Sequence, residues 1–208
     1  MVQNHKSKHH QNKFRFQFYL IFLKYYRNQL FDKSIWPNVT TLLTDNIVSK
    51  DNHFIKIGLS LINDVDEESV NNAIFDFNRL FVGPGKILAP TYESYYRNTE
   101  KLPMQRETLQ VRRFYEMVGL QVDDLGREPD DHIEHELEFV CYLLNNNNEE
   151  LYYDFFESHL GKWILNHIYL VLENSKTDIC KGMAYIFKGF IELEKEELKY
   201  IRGGVTVE

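Results

Sequence analysis

The chain has 208 residues, 43% hydrophobic and 14% aromatic, with 31 acidic and 24 basic residues giving a formal charge of −7. That much apolar chain supports a full core and excludes a disordered polymer. The acidic balance argues against a nucleic-acid binder, which needs a basic face, and five prolines with ten glycines are too few for a turn-rich β-sandwich or barrel. An acidic surface serves solubility and also suits a basic peptide partner.

Residues 1–13 are basic and polar and read as a disordered head. Arg15 and Gln17 interrupt the apolar run that follows, Lys24 ends it, and no small-residue cleavage site comes after. It therefore reads as a core helix from Phe14 to about Leu30, not a signal peptide. Nothing approaches the ~20 apolar residues of a membrane span. Pro37 starts a second helix with Val39, Leu42, Leu43, Ile47 and Val48 on its apolar face, and His53 to Ile62 repeats the pattern.

Asp64 or Asp66 offers an N-cap to a helix that uses Val70, Ala73, Phe77, Leu80 and Phe81 and stops at Gly83-Pro84-Gly85. Residues 83–96 form a long, non-periodic loop rich in large apolar groups, a kind that is functional or packed onto a core. Thr108 to Val118 makes a helix closed by Gly119.

In the stretch 127–138, Pro129 suits a first helical turn, and Glu128 or Asp130 can accept from its free N–H groups. Ile133, Leu137, Val140, Cys141 and Leu144 then form one stripe. Further helices pass through Tyr152 and Phe156, from Trp163 to Leu172, and from about Lys176 to Ile201. The class is all-α: a single-domain bundle of about eight or nine helices over 14–202, with a tail at 203–208. Cys141 and Cys180 sit in apolar helical patterns and read as buried reduced thiols, consistent with a cytoplasmic location.

Asp131-His132 is the first candidate site. It presents an acceptor and a donor to a ligand, or it is a capping carboxylate beside a histidine that satisfies a loop carbonyl. His132, His135 and Glu136 share a face and raise a metal-dependent helical enzyme as an alternative. A ferritin-like pattern needs a second Glu-x-x-His, and Phe156 and Ile164 stand where His159 and His167 would require glutamate. Gly83-Pro84-Gly85-Lys86 lacks the rest of a phosphate loop, so nothing supports a nucleotide or other cofactor. Arg112-Arg113-Phe114 lies mid-helix and reads as a solvated face, and no nucleophile motif occurs.

Several stretches together resemble the TorD/DmsD/NarJ family of redox-enzyme maturation chaperones. They are Phe77-Asn78-Arg79-Leu80-Phe81-Val82-Gly83-Pro84-Gly85 with Ala89-Pro90-Thr91-Tyr92-Glu93-Ser94-Tyr95-Tyr96, and Val111-Arg112-Arg113-Phe114-Tyr115 with Gly119-Leu120. Glu128-Pro129-Asp130-Asp131-His132 with Glu136-Leu137-Glu138-Phe139, then Phe156, His159 and Trp163, complete the match over roughly 70–190. The resemblance implies a TorD-like helical fold without catalytic chemistry. It also implies a cytoplasmic chaperone that binds the twin-arginine signal peptide or N-terminal tail of a molybdenum-cofactor oxidoreductase subunit. That role assists cofactor insertion into the apo subunit and delays export, without stable membrane insertion.

The NarJ branch, which serves a non-exported nitrate reductase subunit, is the alternative. A monomer and a domain-swapped dimer both fit the family. The implied peptide groove is lined by Leu80, Phe81, Gly83, Pro84, Pro90, Tyr92, Glu93, Tyr96, Glu128, Pro129, Asp131 and His132. Family members often carry tryptophan where this chain has Tyr92. Aromatic loop residues would cover an apolar segment, and Asp131 and Glu128 would meet its arginines.

Overall fold

The computed structural model describes residues 2–44, 51–122 and 128–203, with side chains from Asn12 onward. Ile47, Val48, Arg127 and the tail from residue 204 lie outside the described residues. The helices are α1 (Val2–Tyr26), α2 (Trp36–Thr44), α3 (His53–Leu61), α4 (Glu67–Phe77), α5 (Glu93–Arg97), α6 (Arg106–Met117), α7 (Ile133–Asn145), α8 (Glu149–Ser158), α9 (Leu160–Asn174) and α10 (Asp178–Gly203). Among the described residues there is no strand, and nine of these helices exceed seven residues, so the all-α reading holds. No helix among them is long and apolar enough to cross a membrane.

The chain forms two compact units by interleaving. One comprises Met1–Gln29 and Thr91–Trp163, the other Leu30–Pro90 and Ile164–Glu208. In the first, α1 packs along α7, and α7 against α8. Phe18, Phe22, Leu137, Val140 and Phe155 are fully buried there. The Tyr19 and Tyr152 hydroxyls meet at 3.1 Å. The helical backbone begins at Val2, where composition alone points to a disordered head. Asn12 is buried and bonds to Glu149.

In the second unit α3 lies against α10 with glycine facing glycine. A Cβ on Gly182 would stand 2.9 Å from the Gly58 carbonyl oxygen and 2.6 Å from Ile62 Cγ2, so the backbones approach only because both side chains are absent. Asp66 caps α4: its carboxylate accepts from Ser69 N–H (2.8 Å) while Ser69 Oγ accepts from Asp66 N–H (3.0 Å). A π-helical turn, Asn78–Val82, follows α4 and ends at Gly83, whose φ of +113° a side chain would strain. The Leu80 carbonyl accepts from Leu88 N–H (3.2 Å) and Ala89 N–H (3.0 Å), which closes the loop between them. Val82, Pro84, Gly85 and Lys86 are exposed on it.

Asp76 fastens this unit. Its carboxylate accepts from Arg79 (2.6 Å), from Lys176 N–H (2.7 Å), and from Thr177 N–H (2.9 Å) and hydroxyl (3.0 Å). Burial alone would raise its pKa. The Arg79 guanidinium and the Lys176 and Thr177 donors more than offset that and hold it below the ordinary 3.8. Both cysteines are buried and neither is in a disulfide.

Three outcomes follow for stability. Asp76→Ala should lower the unfolding free energy by about 3 kcal/mol, since it strands a half-buried guanidinium and the Lys176 and Thr177 donors. Because the folded pKa is depressed, wild type should lose this contribution only as pH falls below 3.8, while the variant shows no such loss. Gly182→Ala should cost ~1–3 kcal/mol by overpacking. Urea denaturation at several pH values measures all three.

Candidate functional site

The candidate site forms in the first unit, where Thr91–Ser94 meets Asp131–Ile133. The two segments make a single antiparallel bridge, Tyr92 to His132. Glu93 N–H donates to the Asp131 carbonyl (3.0 Å) and Ile133 N–H to the Thr91 carbonyl (2.8 Å). The Asp131 side chain completes the clasp. One oxygen accepts from Ser94 N–H (2.8 Å), in the first turn of α5, and the other from the Thr108 hydroxyl of α6 (2.7 Å). Asp131 is fully buried. A carboxylate placed there caps the short α5 and ties it to α6 and α7.

His132, not Glu128 or Asp130, is the N-cap of α7. Its Nδ1 accepts from Glu134 N–H (3.4 Å), and its own N–H donates to the Pro129 carbonyl (3.0 Å). Pro129 therefore shapes the preceding turn and does not enter the first helical turn. Asp130 is also committed. It holds Arg112 through both oxygens (2.8–3.3 Å), and its carbonyl accepts from the Tyr115 hydroxyl (2.9 Å). The Arg112-Arg113 pair is thus not simply a solvated face: Arg112 is an anchor for the turn, and Phe114 packs edge-on against Phe155 and His159.

Glu93 and Glu136 lie beneath this clasp, both fully buried. Glu93 pairs with Arg97 and with His159 Nδ1 (2.9 Å). Trp163 Nε1 donates to Glu136 (3.1 Å). Burial, then the nearby Glu93 charge, pushes the Glu136 carboxyl well above its ordinary range. Tyr96 stacks on Trp163 at 5.3 Å. These groups are fasteners of the helices, and sequence pattern did not expose their partners because no spacing rule links α5 with α8 and α9.

Of the three carboxylates in Glu128–Asp131, only Glu128 is exposed. The Tyr92 hydroxyl donates to its Oε2 (2.9 Å), and the Tyr92 ring lies 5.1 Å from that of His132. Burial and the Glu128 carboxylate push the Tyr92 pKa up, so the phenol keeps its proton as the donor. Beside Glu128 is a hollow of about 500 Å³ lined by Met104, Leu109, Val122, Pro129 and Arg112, with Met104 and Leu109 mostly exposed.

The remaining predicted residues belong to the second unit. Leu80 and Phe81 are core, Gly83 and Pro84 sit on the loop described above, and Pro90 is half-buried. His167, which burial lowers to about 4, is neutral and donates from Nδ1 to the Pro90 carbonyl (2.9 Å). Among the described residues no three histidine, cysteine or acidic side chains converge as metal ligands.

A sequence model of the nitrate reductase delta subunit family matches residues 49–167, more than half of the chain. Among solved structures, a crystal structure of an Archaeoglobus fulgidus protein assigned as a redox enzyme maturation protein is similar in fold. It has a TM-score of 0.51 and 24% identity, covering 77% of this chain and 85% of that one. With the bundle of helices and the Glu128–His132 turn already in place, the chain belongs to the nitrate reductase delta subunit family, a family of NarJ/TorD-type maturation chaperones rather than of catalysts.

Proposed function

We propose that this chaperone receives the signal peptide or N-terminal tail of a molybdenum-cofactor oxidoreductase subunit in the cytoplasm, and keeps it from export until the cofactor is in place. The observation that carries this reading is the outward-facing Glu128, held by Tyr92 beside a partly apolar hollow. A cationic side chain of the client pairs with Glu128, whose orientation the Tyr92 hydroxyl has already fixed. Met104, Leu109, Val122 and Pro129 cover the apolar residues next to it.

His132 contributes through its contact with Tyr92. Asp131 is a positioning residue: it holds the bridge on which Tyr92 and Glu128 stand and does not touch the client. Gly83 and Pro84, on their own exposed loop, remain proposed client contacts. The family's name, nitrate reductase delta subunit, favours a nitrate reductase subunit as one such client.

The test is titration with N-terminal peptides of the host's molybdoenzyme subunits. Glu128→Gln should weaken binding by about tenfold, the worth of one charge-assisted contact of ~1.5 kcal/mol, and should leave the thermal midpoint unchanged. Wild-type affinity should also fall with added salt, as an ion pair at an exposed site requires. Asp131→Ala should do the opposite in kind, costing about 3 kcal/mol of stability in urea by stranding the Ser94 and Thr108 donors. Unchanged affinity in Glu128→Gln contradicts the assignment.

A further inference from the structure

Glu136, in the first turn of α7, is fully buried under the Tyr92–His132 bridge. Its Oε2 accepts from Trp163 Nε1 (3.1 Å), and no donor reaches Oε1. One neutral donor falls far short of what a carboxylate sealed from water needs. The other polar group that Glu136 meets is Glu93 of α5, within hydrogen-bond reach and itself fully buried. Glu93 brings acceptor oxygens, and these are already met by Arg97 and His159. Two carboxyl groups bond each other only when one of them is an acid.

Among the described residues, the cations around Glu136 are committed elsewhere. Arg97 and His159 serve Glu93, and Arg112 of α6 is paired with Asp130. Arg27, just past α1, binds Glu134 (3.6 Å) and Glu138 (2.6 Å). Those two lie two residues to either side of Glu136 and so share the opposite face of α7. Asp131, in the turn before α7, adds a second negative charge to that of Glu93. The Tyr115 phenol of α6, whose proton burial secures, donates to the Asp130 carbonyl (2.9 Å). Burial, then the Glu93 and Asp131 charges, favour the neutral acid at Glu136, and the Trp163 donor opposes them.

We infer that Glu136 keeps its proton in the folded protein near neutral pH and that this proton is a latch: it lets α5 and α7 close on each other, and its loss as the pH rises loosens the Tyr92–His132 bridge between them. An ionised Glu136 sets a second negative charge against Glu93 across that seam and draws water into it. Tyr92 directly precedes Glu93 and His132 caps α7, so the loosening reaches the pair that orients Glu128. The device rests on the function proposed above only where it touches client affinity.

Glu136→Gln tests it, because the amide keeps the shape, accepts from Trp163 and offers Glu93 a donor with no proton to lose. Near neutral pH, the infrared difference between wild type and variant should contain the carbonyl stretch of one protonated carboxyl. In urea, the folded wild type holds a proton that the unfolded chain releases above 4.5, so its stability falls as pH rises from there. The ratio of unfolding constants, wild type to variant, should climb by up to about tenfold per pH unit until the folded protein loses the proton too. Over that range the Glu93 and Ser94 amides should lose protection from hydrogen exchange in wild type relative to the variant.

The wild-type spectrum needs no variant: no protonated-carboxyl band near neutral pH overturns the inference. A band that persists in the variant, or a flat ratio of unfolding constants, does the same. So does a variant that cannot fold, since an amide stands in for a neutral acid. Equal amide protection in the two proteins at every pH overturns the latch. Failure of both proteins to bind N-terminal molybdoenzyme peptides overturns the function proposed above and leaves the latch standing.

Discussion

A single buried carboxylate organises the proposed client face. Asp131 uses one oxygen to hold the first turn of α5 and the other to hold the Thr108 hydroxyl of α6, while its backbone pairs with Glu93. A helix of five residues has almost no stability of its own, because nucleation consumes what its few hydrogen bonds return. External capping is therefore what keeps α5 in place. With α5 fixed, Tyr92 is fixed, and with Tyr92 the exposed carboxylate of Glu128.

Charge in this unit is sorted by direction. Asp130 and Asp131 point inward and are consumed by Arg112, Ser94 and Thr108. Glu93 is consumed by Arg97 and His159, and Glu136 accepts from Trp163. Glu128 stays at the surface, with Glu134 and Glu138 crowding one arginine. The buried polar groups therefore supply rigidity, and the surplus negative potential is left where a cationic segment can reach it. Such an arrangement needs no reactive nucleophile and suits a protein whose work is to hold another.

Periodicity made most helices legible. The stripes of α3, α4, α6, α7 and α10 appear in the sequence within a few residues of their observed ends, and Gly119 closes α6 with a φ of +74° as a C′ glycine should. Two boundaries were not legible. The polar composition of residues 1–13 hides the early turns of α1, and α5 is too short to show a period inside an apparently structureless loop. At the site, the sequence shows which residue types occur but not where they point. Asp131 and Glu128 look equivalent as acceptors for a client, yet one is sealed and the other exposed. Arg112 has no visible partner until the turn at Asp130 is folded beside it.

Hydrogen–deuterium exchange with and without a bound client subunit addresses the central claim most directly, since it reports which backbone segments the client covers. The account predicts new protection at residues 104–109, 120–122 and 128–135, with the already bonded amides of Glu93 and Ser94 slow in both states. Protection confined to α3 and α10, with those three segments exchanging as in the free protein, would contradict it.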